Sequence, residues 1–213
     1  MKLYNYFRSS ASYRVRIALN LKGLSYEYAT VHLKRGGGEQ FAPAFHALNP
    51  QSLVPVLEDG ELRLTQSLAI MEYIEEKHPE PPLLPRLPGE RARVRALALS
   101  IACDLHPLNN LRVLDYLKEF GLNEEAKTRW YQHWVELGLG ALETELAGRT
   151  TGRFCHGDSP TMADCCLVPQ LFNARRFGCS LSEYPTLLAI EEQCARLRAF
   201  LDAAPEKQPD FEK

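Results

Sequence analysis

Hydrophobic and polar positions change period repeatedly in the first eighty residues, and each change marks an element. Residues 2–7 (Lys2, Leu3, Tyr4, Asn5, Tyr6, Phe7) are apolar and aromatic, with a period of two that breaks at Tyr6-Phe7. That pattern predicts a strand covered largely on both faces. From Ser12 the apolar positions move to helical spacing, with Val15, Ala18 and Leu19 flanked by Ile17 and Leu21. Ser12 stands where an N-cap belongs and Gly23 where a helix stops. Residues 25–33 alternate again through Tyr26, Tyr28, Val31 and Leu33, a second strand. Strand, helix, strand is a βαβ unit, whose crossover is right-handed.

The loop at 34–38 carries three adjacent glycines and reads as mobile; it lacks the spacing of a dinucleotide fingerprint. Residues 41–48 are short helix or irregular. Pro55 then interrupts an apolar run, Leu53 to Leu57, and has no N–H for a ladder. It belongs at a strand's first residue or at an edge. The sharper version is a cis Val54–Pro55 bond in a tight turn, leaving the Val54 backbone to pair with a peptide-like ligand. Glu58-Asp59-Gly60-Glu61 signals a hairpin and 62–64 the returning strand. A helix follows with Ser67 as N-cap and Leu68, Ile70, Met71, Tyr73 and Ile74 apolar, ending near His78-Pro79.

Residues 79–88 hold five prolines and no period, the composition of a linker. The expected division is an α/β domain over 1–80, a proline-rich linker over 81–88 and an all-helical domain over 89–213. The order β-α-β, then β-β-α, resembles the thioredoxin fold. Beyond the linker only helical spacing survives, over 89–120, 123–147, 161–177 and 185–203. Thr161-Met162-Ala163-Asp164 has the form of a capping box, and Pro169 predicts a kink or one lost hydrogen bond.

Composition narrows the partners. A net charge of −2 offers no basic face for nucleic acid or an anionic membrane. No apolar run approaches the roughly 18 residues that span a bilayer, and residues 1–7 do not read as a signal peptide, so a cytoplasmic protein is expected. Six cysteines, all beyond the proline-rich linker, form no C-x-x-C pair and no zinc spacing, and read as reduced, partly buried small hydrophobes; no metal is expected.

The chemistry concentrates in residues 8–16, Arg-Ser-Ser-Ala-Ser-Tyr-Arg-Val-Arg, between the first strand and the first helix. A helix start offers unpaired N–H groups and the positive end of a dipole, and Ser9, Ser10 and Ser12 add hydroxyls. An anion suits such a site. Without a glycine-rich cradle a phosphate fits poorly; a thiolate fits, because these groups lower a thiol's pKa. Position 11 is alanine, so the thiol has to arrive with a ligand. The same serines would also cap the helix with no ligand present. Gln66 beside Ser67 would serve an α-carboxylate at a second helix start.

A thioredoxin-like half, a proline linker, a helical half and Ser9-Ser10-Ala11-Ser12-Tyr13-Arg14-Val15-Arg16-Ile17-Ala18-Leu19 together resemble the cytosolic glutathione transferases. The resemblance is closest to the zeta class, the maleylacetoacetate isomerases and related maleylpyruvate isomerases. It extends through Asn49-Pro50, Val54-Pro55, Gln66-Ser67, Pro107-Leu108-Asn109-Asn110, Gly157-Asp158 with Thr161 to Asp164, and Val168-Pro169. The family motif has Cys and Trp where this chain has Ala11 and Tyr13, so chemistry that uses that cysteine is not carried over.

The resemblance implies glutathione as coenzyme, with Ser9 and Ser10 catalytic through the thiolate they stabilise. Glutathione would be held by these serines with Gln40, Val54, Gln66 and Ser67, and by His106 and Asn110 from the helical half. Arg8, Arg112 and Arg176 would grip a small dicarboxylate substrate, because guanidinium matches carboxylate in shape. Surface or interdomain ion pairs are the ordinary alternative for each of these arginines, and Arg14 and Arg16 read as structural or interface residues. The implied reaction is cis–trans isomerisation of maleylacetoacetate in tyrosine and phenylalanine degradation, or of maleylpyruvate in gentisate degradation. Glutathione conjugation or dehalogenation, and a non-catalytic binding protein, are the rival readings. A homodimer is implied as well, with Met71, Tyr73 and Leu97 as contributors to its surface.

Overall fold

Strand β1 (Lys2–Asn5) forms where the alternation predicts it, with Leu3 and Asn5 buried and Lys2 and Tyr4 partly covered. It stops short of the expected Phe7, because Tyr6 and Phe7 turn into the core instead. The computed structural model describes residues 1–148 and 150–212. Helix α1 (Ser10–Leu21) starts earlier than its spacing suggests. Ser9, not Ser12, is its N-cap, and Ser9 Oγ accepts from the Ser12 N–H at 3.2 Å. Burial explains the shift: nearly every residue from Ser10 to Leu19 is covered, so the helix continues back to the last residue that keeps an extended backbone.

After β2 (Glu27–Thr30), the triple-glycine loop is a turn of 3₁₀ helix over Arg35–Gly37 followed by a second over Glu39–Phe41, not a featureless loop. Gly38 has φ 109°, and a Cβ there would meet the Gln40 amide within 3 Å, so this glycine sets where Gln40 sits. Helix α2 (Pro43–Leu48), strands β3 (Val56–Asp59) and β4 (Leu62–Thr65), and helix α3 (Ser67–Lys77) follow. The hairpin loop is Gly60-Glu61, with Gly60 at φ 62°.

The sheet order is β2-β1-β3-β4, with β1 parallel to β2 and antiparallel to β3. This is the thioredoxin-like arrangement that the β-α-β and β-β-α order implies. Its register decides where the loops gather. Tyr4 pairs with Val56 and Val56 with Thr65, while Asn5 pairs with Thr30. The end of β1, the end of β2, the start of β3 and the end of β4 therefore lie at one end of the sheet. Leu3, Val15, Ile17, Leu19, Leu57, Ile70, Met71 and Ile74 fill the core at 0% exposure, each large side chain contributing about 1.5–3 kcal/mol. Met71 is therefore interior, and so is Leu97 in the helical unit; neither lies on the surface where the sequence placed them as dimer contributors. Tyr73 is partly exposed and donates to Asp59.

The two compact units are Met1–Leu83 with the chain from Ala195 onward, and Leu84–Cys194. The second contains α4 (Pro88–Leu99), α5 (His106–Leu108), α6 (Leu111–Glu119), α7 (Glu124–Leu146), α8 (Met162–Arg176) and α9 (Pro185–Cys194). The helix expected over 89–120 is thus interrupted. Ser100–Leu105 is a π-helical turn, and Pro107, which lacks an N–H, is the second residue of α5. Asp164 accepts from the Thr161 N–H at 2.7 Å, the Thr161 hydroxyl at 2.9 Å and the Cys155 N–H at 2.8 Å, so the capping motif also pins the preceding loop. Helix α8 runs unbroken through Pro169.

The last segment departs from the expected 89–213 helical domain. The helical pattern over 185–203 breaks after Cys194, and α10 (Arg198–Ala203) belongs to the first unit, where α1 lies against both α10 and α3. No glycine or proline marks the break. Polar demand on α1 accounts for it: Arg16 Nε donates to Ala203 O at 3.0 Å and Asn20 Nδ2 to Ala199 O at 3.0 Å. Asp210 then accepts from the Phe7 N–H and the Tyr28 hydroxyl, and the Phe211 ring meets the Phe7 ring edge-on.

Candidate active site

Four loops share one end of the sheet, and they carry Ser9 and Ser10, Gln40, Val54, and Gln66 with Ser67. Two helix N-termini, α1 and α3, open at that end. Neither has an acidic residue in its first turn, although helix N-termini commonly recruit one. Negative charge is therefore left for a ligand to bring.

At α1, the capping bond occupies one lone pair of Ser9 Oγ, which leaves the hydroxyl proton to point elsewhere. Ser10 is the first helical residue and is buried. Ser12 is fully buried, with its Oγ in no hydrogen bond among the described residues. Arg8 folds back over the Phe7 ring at 5.0 Å and donates to the Tyr6 hydroxyl at 3.0 Å. Among the described residues it pairs with no carboxylate, so the ion-pair alternative does not hold it there.

Val54 is 9% exposed and the Val54–Pro55 bond is cis. Its backbone N–H and C=O enter no hydrogen bond among the described residues. A buried, unpaired backbone is costly unless something pairs with it, and an extended peptide is the natural partner. Gln40 is buried, with Nε2 donating to Leu33 O at 3.3 Å and Oε1 in no hydrogen bond among the described residues. At α3, Gln66 has φ 68° and ψ 116°, a left-handed backbone that is strained for a non-glycine residue. That geometry sets the Gln66 side chain beside the helix start, where its Nε2 donates to Gln51 Oε1 at 3.0 Å. These groups fit glutathione: a thiolate at α1, peptide groups at Val54 and Gln40, and a carboxylate at α3.

Sequence reasoning missed two members of this region. Arg14, taken as structural or interfacial, donates through Nη1 to Ser67 Oγ at 3.2 Å, and Gln51 braces Gln66. The signal for Arg14 was its place in the first turns of a helix that is covered on every face.

In the helical unit, Asn110 caps α6 through a bond from the Arg112 N–H at 3.1 Å, and its Nδ2 lies 3.4 Å from His106 Nε2. His106 thus lies in α5, and Asn110 and Arg112 lie together at the start of α6. Arg112 is exposed and pairs with no carboxylate among the described residues. Arg176, at the end of α8, donates to Asn173 Oδ1 at 3.1 Å and lies 4.7 Å from the Phe177 ring centroid. The six thiols are free. Burial pushes Cys155 and Cys165 well above the ordinary thiol pKa and Cys179 up to about 11, which makes them poor nucleophiles. Among the described residues no group of three or more His, Cys, Asp or Glu is placed to hold a metal, and no helix is long and apolar enough to cross a membrane.

Comparison with known proteins gives the family. The glutathione S-transferase N-terminal domain matches residues 1–76 and the glutathione S-transferase C-terminal domain residues 124–203. A probable maleylacetoacetate isomerase of Vibrio cholerae is 54% identical over 98% of this chain and 97% of its own length. A holo structure of a maleylpyruvate isomerase, described as a bacterial zeta-class glutathione transferase, superposes with a TM-score of 0.97 at 51% identity over all of both chains. A maleylacetoacetate isomerase from Methylobacterium extorquens AM1, with malonate and glutathione bound, superposes with a TM-score of 0.96 at 44% identity, again over all of both chains. The chain belongs to the glutathione S-transferase family, in the zeta-class branch that holds the maleylacetoacetate and maleylpyruvate isomerases.

Proposed function

We propose that the chain is a glutathione-dependent cis–trans isomerase that converts maleylacetoacetate to fumarylacetoacetate in tyrosine and phenylalanine degradation. One observation carries the reading: two acid-free helix N-termini and the unpaired Val54 backbone meet at one end of one sheet.

Glutathione, when bound, supplies the thiolate whose reversible addition to the activated double bond permits rotation. The chain's residues make that possible. Ser9 directs its hydroxyl proton at the sulfur, and Ser10 adds a donor at the α1 N-terminus; both favour the ionised thiol. Val54 pairs through its backbone, Gln40 accepts from a ligand N–H, and Gln66 with Ser67 meets the γ-glutamyl end. His106 and Asn110 serve the same coenzyme from the helical unit. Arg8 holds a substrate carboxylate with a guanidinium already oriented by Tyr6, and Arg112 and Arg176 are further carboxylate contacts. A small dicarboxylate is the substrate class, and a cytoplasmic homodimer is the form in which the chain acts.

Maleylpyruvate, from gentisate degradation, is the second substrate to weigh, because the 51% identical structure is a maleylpyruvate isomerase. Dehalogenation that relies on a protein cysteine is disfavoured by Ala11. The test is the glutathione-dependent loss of each cis substrate at equal enzyme concentration. Turnover of maleylacetoacetate well above maleylpyruvate, and none without glutathione, is expected. A preference for maleylpyruvate reassigns the pathway, and turnover of neither with glutathione still bound replaces isomerisation by conjugation.

A further inference from the structure

We infer that Arg14 is a positioning residue for the carboxylate end of glutathione, acting through Ser67; the inference rests on the reading that the γ-glutamyl carboxylate meets the α3 N-terminus. Arg14 and Arg16 both lie within α1 at 2% and 0% exposure. Arg16 spends its donors on the carbonyls of Tyr6, Phe7 and Ala203 and on Asn5 Oδ1, all parts of the scaffold. Arg14 Nη1 instead reaches a side chain of the site, Ser67 Oγ, at 3.2 Å.

A serine hydroxyl has one proton and two acceptor positions. With one lone pair committed to a guanidinium, Ser67 turns its proton away from Arg14, and no described residue accepts that proton. Ser67 is the first residue of α3, so the proton joins the free N–H groups of the helix start. A fixed positive charge stands one hydrogen bond behind it. An anion in front of α3 therefore meets the helix dipole, an oriented hydroxyl and a buried cation in series. Charge-assisted donation also polarises the hydroxyl and strengthens the bond it gives. Arg14 itself does not touch the ligand in this arrangement.

The test compares glutathione with its analogue lacking the γ-glutamyl α-carboxylate, γ-aminobutyryl-cysteinyl-glycine, by calorimetric titration of the wild-type chain, Arg14→Met, Arg14→Lys and Ser67→Ala. Wild type is expected to prefer glutathione. Arg14→Met is expected to lose about tenfold in glutathione affinity while binding the analogue almost as wild type does, because only the carboxylate senses the lost charge. KM for glutathione should rise by about the same factor while kcat falls less than about threefold, the pattern of lost uniform binding. A general loosening of the fold would weaken both ligands together and would overturn the inference, as would wild-type discrimination in a folded Arg14→Met. Should that variant not fold, Arg14→Lys decides: its shorter ammonium keeps the charge but not the reach to Ser67 Oγ, and discrimination should fall about threefold. Unchanged discrimination there overturns the role of Arg14. Equal binding of both ligands by wild type would instead overturn the carboxylate's placement at Ser67, whatever Arg14 does.

Discussion

Replacing Arg16 by methionine tests whether the serine turn is held from beneath. The guanidinium is fully buried and makes four hydrogen bonds, to Ala203 O at 3.0 Å, Asn5 Oδ1 at 3.1 Å, Tyr6 O at 3.3 Å and Phe7 O at 2.9 Å. All four acceptors are neutral, and burial lowers the guanidinium's pKa. Methionine fills much of the volume and removes the cost of burying a charge, but it takes a donor from four acceptors and leaves three of them without one among the described residues, Tyr6 O alone keeping the Ser9 N–H at 3.0 Å. At roughly 1.5 kcal/mol per bond from a charged donor, the loss is about 6 kcal/mol before relaxation. Relief of the buried charge returns about 2–3 kcal/mol, so the net destabilisation should be about 3–4 kcal/mol. That is a large part of the 5–15 kcal/mol typical of folded proteins. Urea unfolding followed by circular dichroism measures it, with Arg16→Lys, which reaches fewer of the acceptors, falling between. Because Tyr6 and Phe7 lead into Arg8 and Ser9, glutathione affinity should fall with stability. A loss below about 1 kcal/mol in Arg16→Met would refute the reasoning, since the four bonds would then be replaceable by water or repacking.

Further outcomes follow from the same structure. Ser9→Ala should keep the fold, losing about 1 kcal/mol with the cap, while kcat drops roughly a hundredfold as bound thiol is ionised less; steady-state rates and thiolate absorbance read both, and an unchanged isomerase rate would remove Ser9 from the mechanism. Lys22→Met leaves Glu75 without the buried ammonium 2.6 Å away and should cost about 3–5 kcal/mol, much of it recovered by adding Glu75→Gln, which still accepts from the Leu83 N–H. Hydrogen bonds from Arg35 and then His32 hold Glu212 below its ordinary pKa of 4.5. A depressed carboxyl stabilises docking of the C-terminal tail above that ordinary value, and the contribution fades as pH falls through the depressed one. Amide protection at Phe211 should therefore decline in acid, and Glu212→Gln should show a smaller pH dependence; identical profiles would assign the decline to other groups.

Much of the first unit was legible in one dimension because its signals are local. Period-two runs, a glycine at the hairpin, serine caps and the proline-rich linker each act over a few residues, and each corresponds to an element. Local signals misplaced the start of α1, where Ser9 and Ser12 cap equally well on paper and the depth of burial chooses Ser9. They also missed the interruption of α4 at the π-helical turn and the break after Cys194, since neither carries a glycine. Met71 and Leu97 read as surface because an apolar helix position does not say which neighbour covers it.

The sequence by itself determined the α/β and helical halves and the kinship carried by Ser9-Ser10 and Gln66-Ser67, through which glutathione was the expected coenzyme; these are properties of residue type and near spacing. Only the tertiary structure decided that β1, β2, β3 and β4 present their site-bearing loops at one end, because strand register is a long-range choice. It alone sent the chain after Ala195 back to the first unit and set Arg14 against Ser67, fifty-three positions away. The physical reason is the same in both cases: a buried cation or an unpaired carbonyl has to be satisfied by whatever the folded chain brings near, and no periodicity records that partner.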